Sequence, residues 1–102
     1  MSFELRFSRA AFRQIDAADS WWKENRPASP DLFMSELQVG LRQIRRFPTV
    51  FADLGDPRIP GLRRLLMPRS RYYIYWTTQG EVVEVLAVWH TSRGQGPLEE
   101  DP

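Results

Sequence analysis

Apolar and polar positions along the chain alternate with two different periods. In "FELRF", Phe3, Leu5 and Phe7 point one way and Glu4 and Arg6 the other, the period-two pattern of a half-buried strand. Ser8 offers an N-cap, and a helix is expected from about residue 9 to 25. Its stripe is Ala11, Ile15, Ala18 and Trp22, flanked by Phe12 and Trp21, with Arg9, Arg13, Asp16 and Lys23 opposite. "NRPASP" breaks the pattern, and Ser29 followed by Pro30 starts a second helix over about 30–46. Phe33, Leu37, Leu41, Ile44 and Phe47 line its apolar side, and Pro48 ends it. So short a gap makes the two helices an antiparallel hairpin.

Residues 48–60 are rich in Pro, Gly and Asp and read as a loop. Three strand-like runs follow, at 62–67, 71–78 and 81–90, with Gln79-Gly80 as the hairpin turn of the last two. The order is β-α-α-β-β-β. It predicts an α+β domain over residues 1–94, with both helices on one face of an antiparallel sheet. Residues 95–102 read as a polar, acidic tail.

A turn at Gln79-Gly80 would set Thr78 opposite Glu81 and Arg69 opposite His90. The face under the helices would then carry Tyr72, Ile74, Trp76, Val83, Val85, Ala87 and Trp89. The outer face would carry Arg69, Arg71, Tyr73, Tyr75, Val82, Glu84, Leu86, Val88 and His90, with Tyr75 opposite Glu84. A one-residue slip exchanges the two faces.

Charge sharpens this picture. The net charge is +1, yet residues 58–93 hold six arginines against Glu81 and Glu84. Of the 14 cationic side chains only Lys23 is a lysine. An arginine-rich patch suits nucleic acid or an acidic partner, or is simply a solvated sheet face. With no cysteine and a single histidine, disulfides and structural zinc are excluded, and no cofactor or metal is expected. No apolar run is long enough for a membrane span, and the charged start "MSFELRF" is unlike a signal peptide; a soluble, cytoplasmic protein is expected. Arginine beside histidine can cleave RNA through its 2′-hydroxyl, and tyrosines can stack bases, although a lone histidine beside arginine is more often just a polar sheet residue.

The segments "FELRFSRAAFRQIDAADSWW", "IRRFPTVF", "GLRRLLMPRSRYYIYW" and "VVEVLAVWHTSRG" occur in an order that resembles the RelE/ParE superfamily of bacterial type II toxin–antitoxin toxins. The resemblance spans roughly residues 2–95 and implies one of two activities. ParE-like members bind and block DNA gyrase; RelE-like members enter the ribosome and cut mRNA. For the second activity it implies Arg71, His90 and Arg64 as catalytic groups of a metal-independent endoribonuclease. For target binding it points to Arg69, Arg71, Tyr73, Tyr75 and Arg93. The near absence of lysine and of a tyrosine after the last strand favours the ParE-like, protein-binding alternative over an enzyme. The resemblance also implies a hetero-oligomer with a cognate antitoxin, for which Trp21 and Phe33 are the contact residues singled out.

Overall fold

The computed structural model describes residues 3–93. The elements are β1 (Glu4–Phe7), α1 (Arg9–Asn25), α2 (Leu32–Arg46), β2 (Arg63–Met67), β3 (Tyr72–Gln79) and β4 (Val82–His90). The α+β class and the element order are those expected from the sequence. The acidic tail lies outside the described residues.

Ser8 caps α1 as expected, its Oγ accepting the Ala11 N–H at 3.0 Å. The second helix begins later than its sequence signal. Asp31 occupies the N-cap without a side-chain bond, because Ser29 is taken into a turn, its N–H bonded to the Arg26 carbonyl and its own carbonyl to the Leu32 N–H. Ala11, Ala18, Trp22, Phe33, Leu37 and Ile44 are buried against Met67, Ile74, Trp76, Val83, Val85 and Val88 of the sheet. Phe47 is exposed rather than part of the α2 stripe. Gly40 is buried there instead: a Cβ would sit 2.9 Å from Ile74 Cδ1, so α2 lies close enough to the sheet that a larger residue would displace core side chains.

The strand order is β1-β4-β3-β2. β3 pairs antiparallel with both neighbours, whereas β1 pairs parallel with β4, so the sheet is mixed rather than wholly antiparallel. The path of the chain explains this. Residues 47–62 carry the chain back across the domain, so β2 starts in the same direction as β1, and two hairpins later β4 does too. The connection is pinned by the Trp76 indole N–H donating to the Pro48 carbonyl at 3.1 Å and by the T-shaped packing of Phe51 with Trp76.

Two features correct the expected hairpin register. Gln79 pairs with Val82, so the turn is Gly80-Glu81. Gly80, at φ 59°, supplies the positive φ that a type II′ turn needs at its first central position, which Gln79 could not do cheaply. Further along, Trp76 pairs with Val85 but Tyr75 with Ala87, which leaves Leu86 as an extra residue in a β-bulge. From the turn to the bulge Val83 and Val85 face the helices as expected. Beyond it every side chain of β4 changes face.

Candidate functional site

The bulge determines what reaches the site. β1 stops at Phe7, whereas β4 continues to His90. Beyond Val85, β4 has no strand on that side, and α1 takes over. Ser8 Oγ donates to the Leu86 carbonyl at 3.0 Å, and the Val88 N–H donates to Gln14 Oε1 at 2.8 Å. The backbone groups freed by the bulge and by the short β1 are thus satisfied by α1 side chains. Between α1, the end of β4 and the β2–β3 turn lies an open cleft of about 910 Å³. Its floor includes Ala10, Ala17, Ala18, Trp22 and Val88. Arg13, Arg26, Arg69, Arg71 and Arg93, together with His90, line it as well, and among the described residues no carboxylate does.

The β2–β3 turn delivers two of these arginines. Ser70 is buried, and Glu36 on α2 accepts three hydrogen bonds from the turn: the Arg69 N–H at 2.8 Å, the Ser70 N–H at 2.8 Å and the Ser70 hydroxyl at 2.7 Å. Partial burial opposes ionisation of this carboxyl, but the hydrogen bonds from Ser70 and Arg69 outweigh it and hold its pKa below the ordinary glutamate value. Arg71 adopts φ 68°, the left-handed region that glycine ordinarily fills. Its N–H donates to the Met67 carbonyl and its carbonyl accepts from the Thr91 N–H, both at 2.8 Å. The strained residue therefore ties the turn to the end of β4.

His90 is not on the outer face with Tyr73 and Tyr75. The bulge turns it to the helix side, opposite Tyr72 rather than Arg69. Its ring meets the edge of Tyr72 at 4.9 Å between centroids, and Nδ1 lies 2.7 Å from Ser92 Oγ. Burial raises the Tyr72 hydroxyl pKa, with Arg93 opposing. Trp89 makes the reverse change. It lies opposite Tyr73, away from the helices, and is buried with the Arg93 guanidinium 4.2 Å above its ring. Tyr75 opposes Ala87 and Arg64, not Glu84.

The residues proposed for target contact therefore divide between two surfaces. Arg69, Arg71 and Arg93 line the cleft. Tyr73 and Tyr75, with rings 5.9 Å apart, lie on the other face of the sheet, where the Arg64 guanidinium stacks 4.1 Å above Tyr73. Of the three candidate catalytic groups, Arg71 and His90 share the cleft and Arg64 does not. Among the described residues no group of three His, Cys, Asp or Glu side chains could hold a metal ion.

Of the two aromatics singled out for the antitoxin, Trp21 is 45% exposed and lines the cleft, with the Arg26 guanidinium 5.5 Å from its ring centre. Phe33 is a correction. It is wholly buried, edge-on to Tyr72 at 4.9 Å, because its stripe on α2 faces the sheet. Arg13, Arg26 and Glu36 are site residues the sequence did not single out. Arg13 shares a helical face with Ala10 and Ala17, but only the long-range docking of α1 on β4 shows that this face borders a cleft.

The sequence profile of the ParE toxin of the type II toxin–antitoxin system parDE matches residues 5–94. Similar solved structures include the chromosomal ParDE system of P. aeruginosa, at TM-score 0.69 and 17% identity, with 87% of this chain and 96% of that chain covered. The E. coli RelBE toxin–antitoxin complex aligns at TM-score 0.60 and 18% identity, covering 90% of this chain and 100% of that one. The YoeB dimer of Staphylococcus aureus aligns at TM-score 0.61 and 12% identity, covering 88% and 98%. At such identities these structures establish a shared fold alone. No curated protein sequence matches the chain.

Proposed function

The chain belongs to the ParE toxin family of type II toxin–antitoxin systems, and from that membership we propose that it acts by binding and blocking DNA gyrase and is neutralised by a cognate antitoxin. The observation that carries binding over chemistry is the position of Arg64. It stacks on Tyr73, on the opposite side of the sheet from the cleft that Arg71 and His90 line. A nuclease using all three would need them around one phosphate, within hydrogen-bonding reach of the reacting atoms. His90 is further engaged by Tyr72 and Ser92. What remains is a strongly cationic surface with exposed aromatic area, which suits recognition of a macromolecule. The likeness to a ParDE system and to a RelBE toxin–antitoxin complex supports an antitoxin as the neutralising partner.

The ribosome-dependent ribonuclease is the second reading, favoured by one observation: Arg71 and His90 line the same cleft. Two assays separate the readings. Purified protein is titrated into a gyrase supercoiling reaction and, separately, into a translating-ribosome mRNA cleavage reaction. Dose-dependent loss of supercoiling with intact mRNA is expected. Unchanged supercoiling at large molar excess, with cleaved mRNA, would replace gyrase by the ribosome as target.

A further inference from the structure

We propose that Glu36 is a positioning residue for the target contact: without touching the target, it holds the β2–β3 turn so that Arg69 and Arg71 are presented to it. The inference rests on the gyrase-binding reading above and adds to it the group that organises the contact.

Burial alternates along the turn. In Arg69-Ser70-Arg71 the serine is buried and both arginines are exposed. Ser70 turns inward because one Glu36 oxygen accepts its hydroxyl at 2.7 Å and its N–H at 2.8 Å. The other oxygen accepts the Arg69 N–H at 2.8 Å. Two successive backbone N–H groups converging on one group favour an anion there. Burial opposes ionisation of the carboxyl, but the bonds from Ser70 and Arg69 prevail and lower its pKa, so the anion persists at neutral pH. Among the described residues no salt bridge joins Glu36 to an arginine. Its charge fixes the backbone of the turn and leaves both guanidinium groups to a partner.

The backbone of Arg71 gives the arginines a reason to be there. At φ 68° a glycine would make the same bonds to the Met67 carbonyl and the Thr91 N–H without strain. An arginine kept in that conformation points to a use for its side chain, and the conformation persists only where its surroundings enforce it. Met67 and Thr91 restrain Arg71 from within the sheet and its end. Glu36 restrains the two residues before it from α2, and so ties the turn to the helical hairpin whose α1 forms the opposite wall of the cleft. A turn held in place before association loses less conformational freedom on binding than a loose one. Loss of Glu36 should therefore appear as loss of potency, and only while the arginines are present.

The test is a double-mutant cycle on the full-length chain, read as the concentration that half-inhibits gyrase supercoiling, with folding of each variant checked by urea unfolding. Glu36→Gln should raise that concentration about fivefold and Arg69→Ala/Arg71→Ala about 30-fold. Adding Glu36→Gln to the arginine pair should change it by less than about twofold, because nothing is left to position. Glu24→Gln makes the same change in net charge at an exposed site outside the cleft and should stay within about twofold of wild type. If Glu36→Gln does not fold, Ser70→Ala deletes one of the three bonds and carries the same cycle, with an expected loss of about threefold. A folded Glu36→Gln chain of wild-type potency would overturn the inference. So would an equal loss with and without the two arginines, the result of a merely structural role, or a loss from Glu24→Gln as large as that from Glu36→Gln. In each of these cases inhibition by the wild type leaves the gyrase reading standing. Supercoiling untouched by the wild-type chain at large molar excess would remove that reading and this inference together.

Discussion

Tyr72 and His90 stand directly opposite each other across β3 and β4, with ring centroids 4.9 Å apart and ring planes at 86°. Phe33 meets the same tyrosine, also at 4.9 Å. The single histidine of the chain thus closes an aromatic stack that begins in the core. This geometry predicts a structural cost without loss of toxin action. His90→Ala should lower stability by about 1 kcal/mol, the typical value of such an aromatic contact. On the proposed function, its inhibition of gyrase should stay within about threefold of the wild-type dose. Urea unfolding and supercoiling inhibition on the same preparation check both parts. Lost inhibition by a folded variant would return His90 to the site.

The left-handed φ of Arg71 separates the needs of the fold from those of the cleft. Arginine pays a steric penalty of roughly 1–2 kcal/mol in that region, and glycine does not. Arg71→Gly should therefore be more stable than Arg71→Ala by about 1 kcal/mol, although both remove the same guanidinium. On the proposed function both should weaken inhibition of gyrase to the same extent, about tenfold. Paired denaturation and supercoiling assays of the two variants measure this. Equal stabilities would mean that the backbone relaxes away from φ 68° once the side chain is gone.

Most of the fold could be read from the sequence because it depends on local periodicity. Ser8 as a cap, the buried stripes of α1 and α2 and the three C-terminal strands all follow from spacing. What could not be read depends on single residues and on chain path. The bulge at Leu86 is one extra residue in a valine-rich run with no glycine or proline to mark it, yet it moves His90 and Trp89 to opposite faces. The parallel pairing of β1 is set by the route of residues 47–62, which no pattern within β1 encodes. Arg13 was legible as a polar helix residue; that it lines the same cleft as Arg71 was not, because tertiary docking alone brings α1 to that cleft.

Glu36 predicts a pH signature. Its pKa in the folded chain is held below the ordinary carboxylate value by hydrogen bonds from Ser70 and Arg69, which overcome the opposing effect of burial. The stabilisation it gives is complete above the unfolded pKa of about 4.3 and is lost as pH falls through the lower folded pKa. Glu36→Gln keeps one acceptor oxygen but turns an N–H pair towards the turn. At pH 7 the variant should be less stable by about 1–2 kcal/mol. The gap should narrow steadily as pH drops from about 5 towards 2. Urea midpoints of both proteins across that range measure the difference, and a gap independent of pH would show that ionisation of Glu36 does not contribute.

The approach of α2 to the sheet can be tested at Gly40. Replacing a helical glycine by alanine normally gains about 1 kcal/mol. Here the new Cβ would stand 2.9 Å from Ile74 Cδ1 and 3.3 Å from Leu65 Cδ2. Ile74 is completely buried, so its terminal methyl has little room to swing aside. Overpacking of this kind costs about 1–3 kcal/mol, and Gly40→Ala should be destabilising overall by about 1 kcal/mol. Ile74→Val removes the Cδ1 atom itself and alone should cost about 1 kcal/mol. In the double variant the clash and the vacated space largely cancel, so Gly40→Ala/Ile74→Val should be clearly more stable than the sum of the single losses predicts. A double-mutant cycle from urea denaturation gives the coupling directly. Strict additivity would mean that α2 shifts away from the sheet instead, and the crystal structure of Gly40→Ala would then show α2 displaced from Ile74.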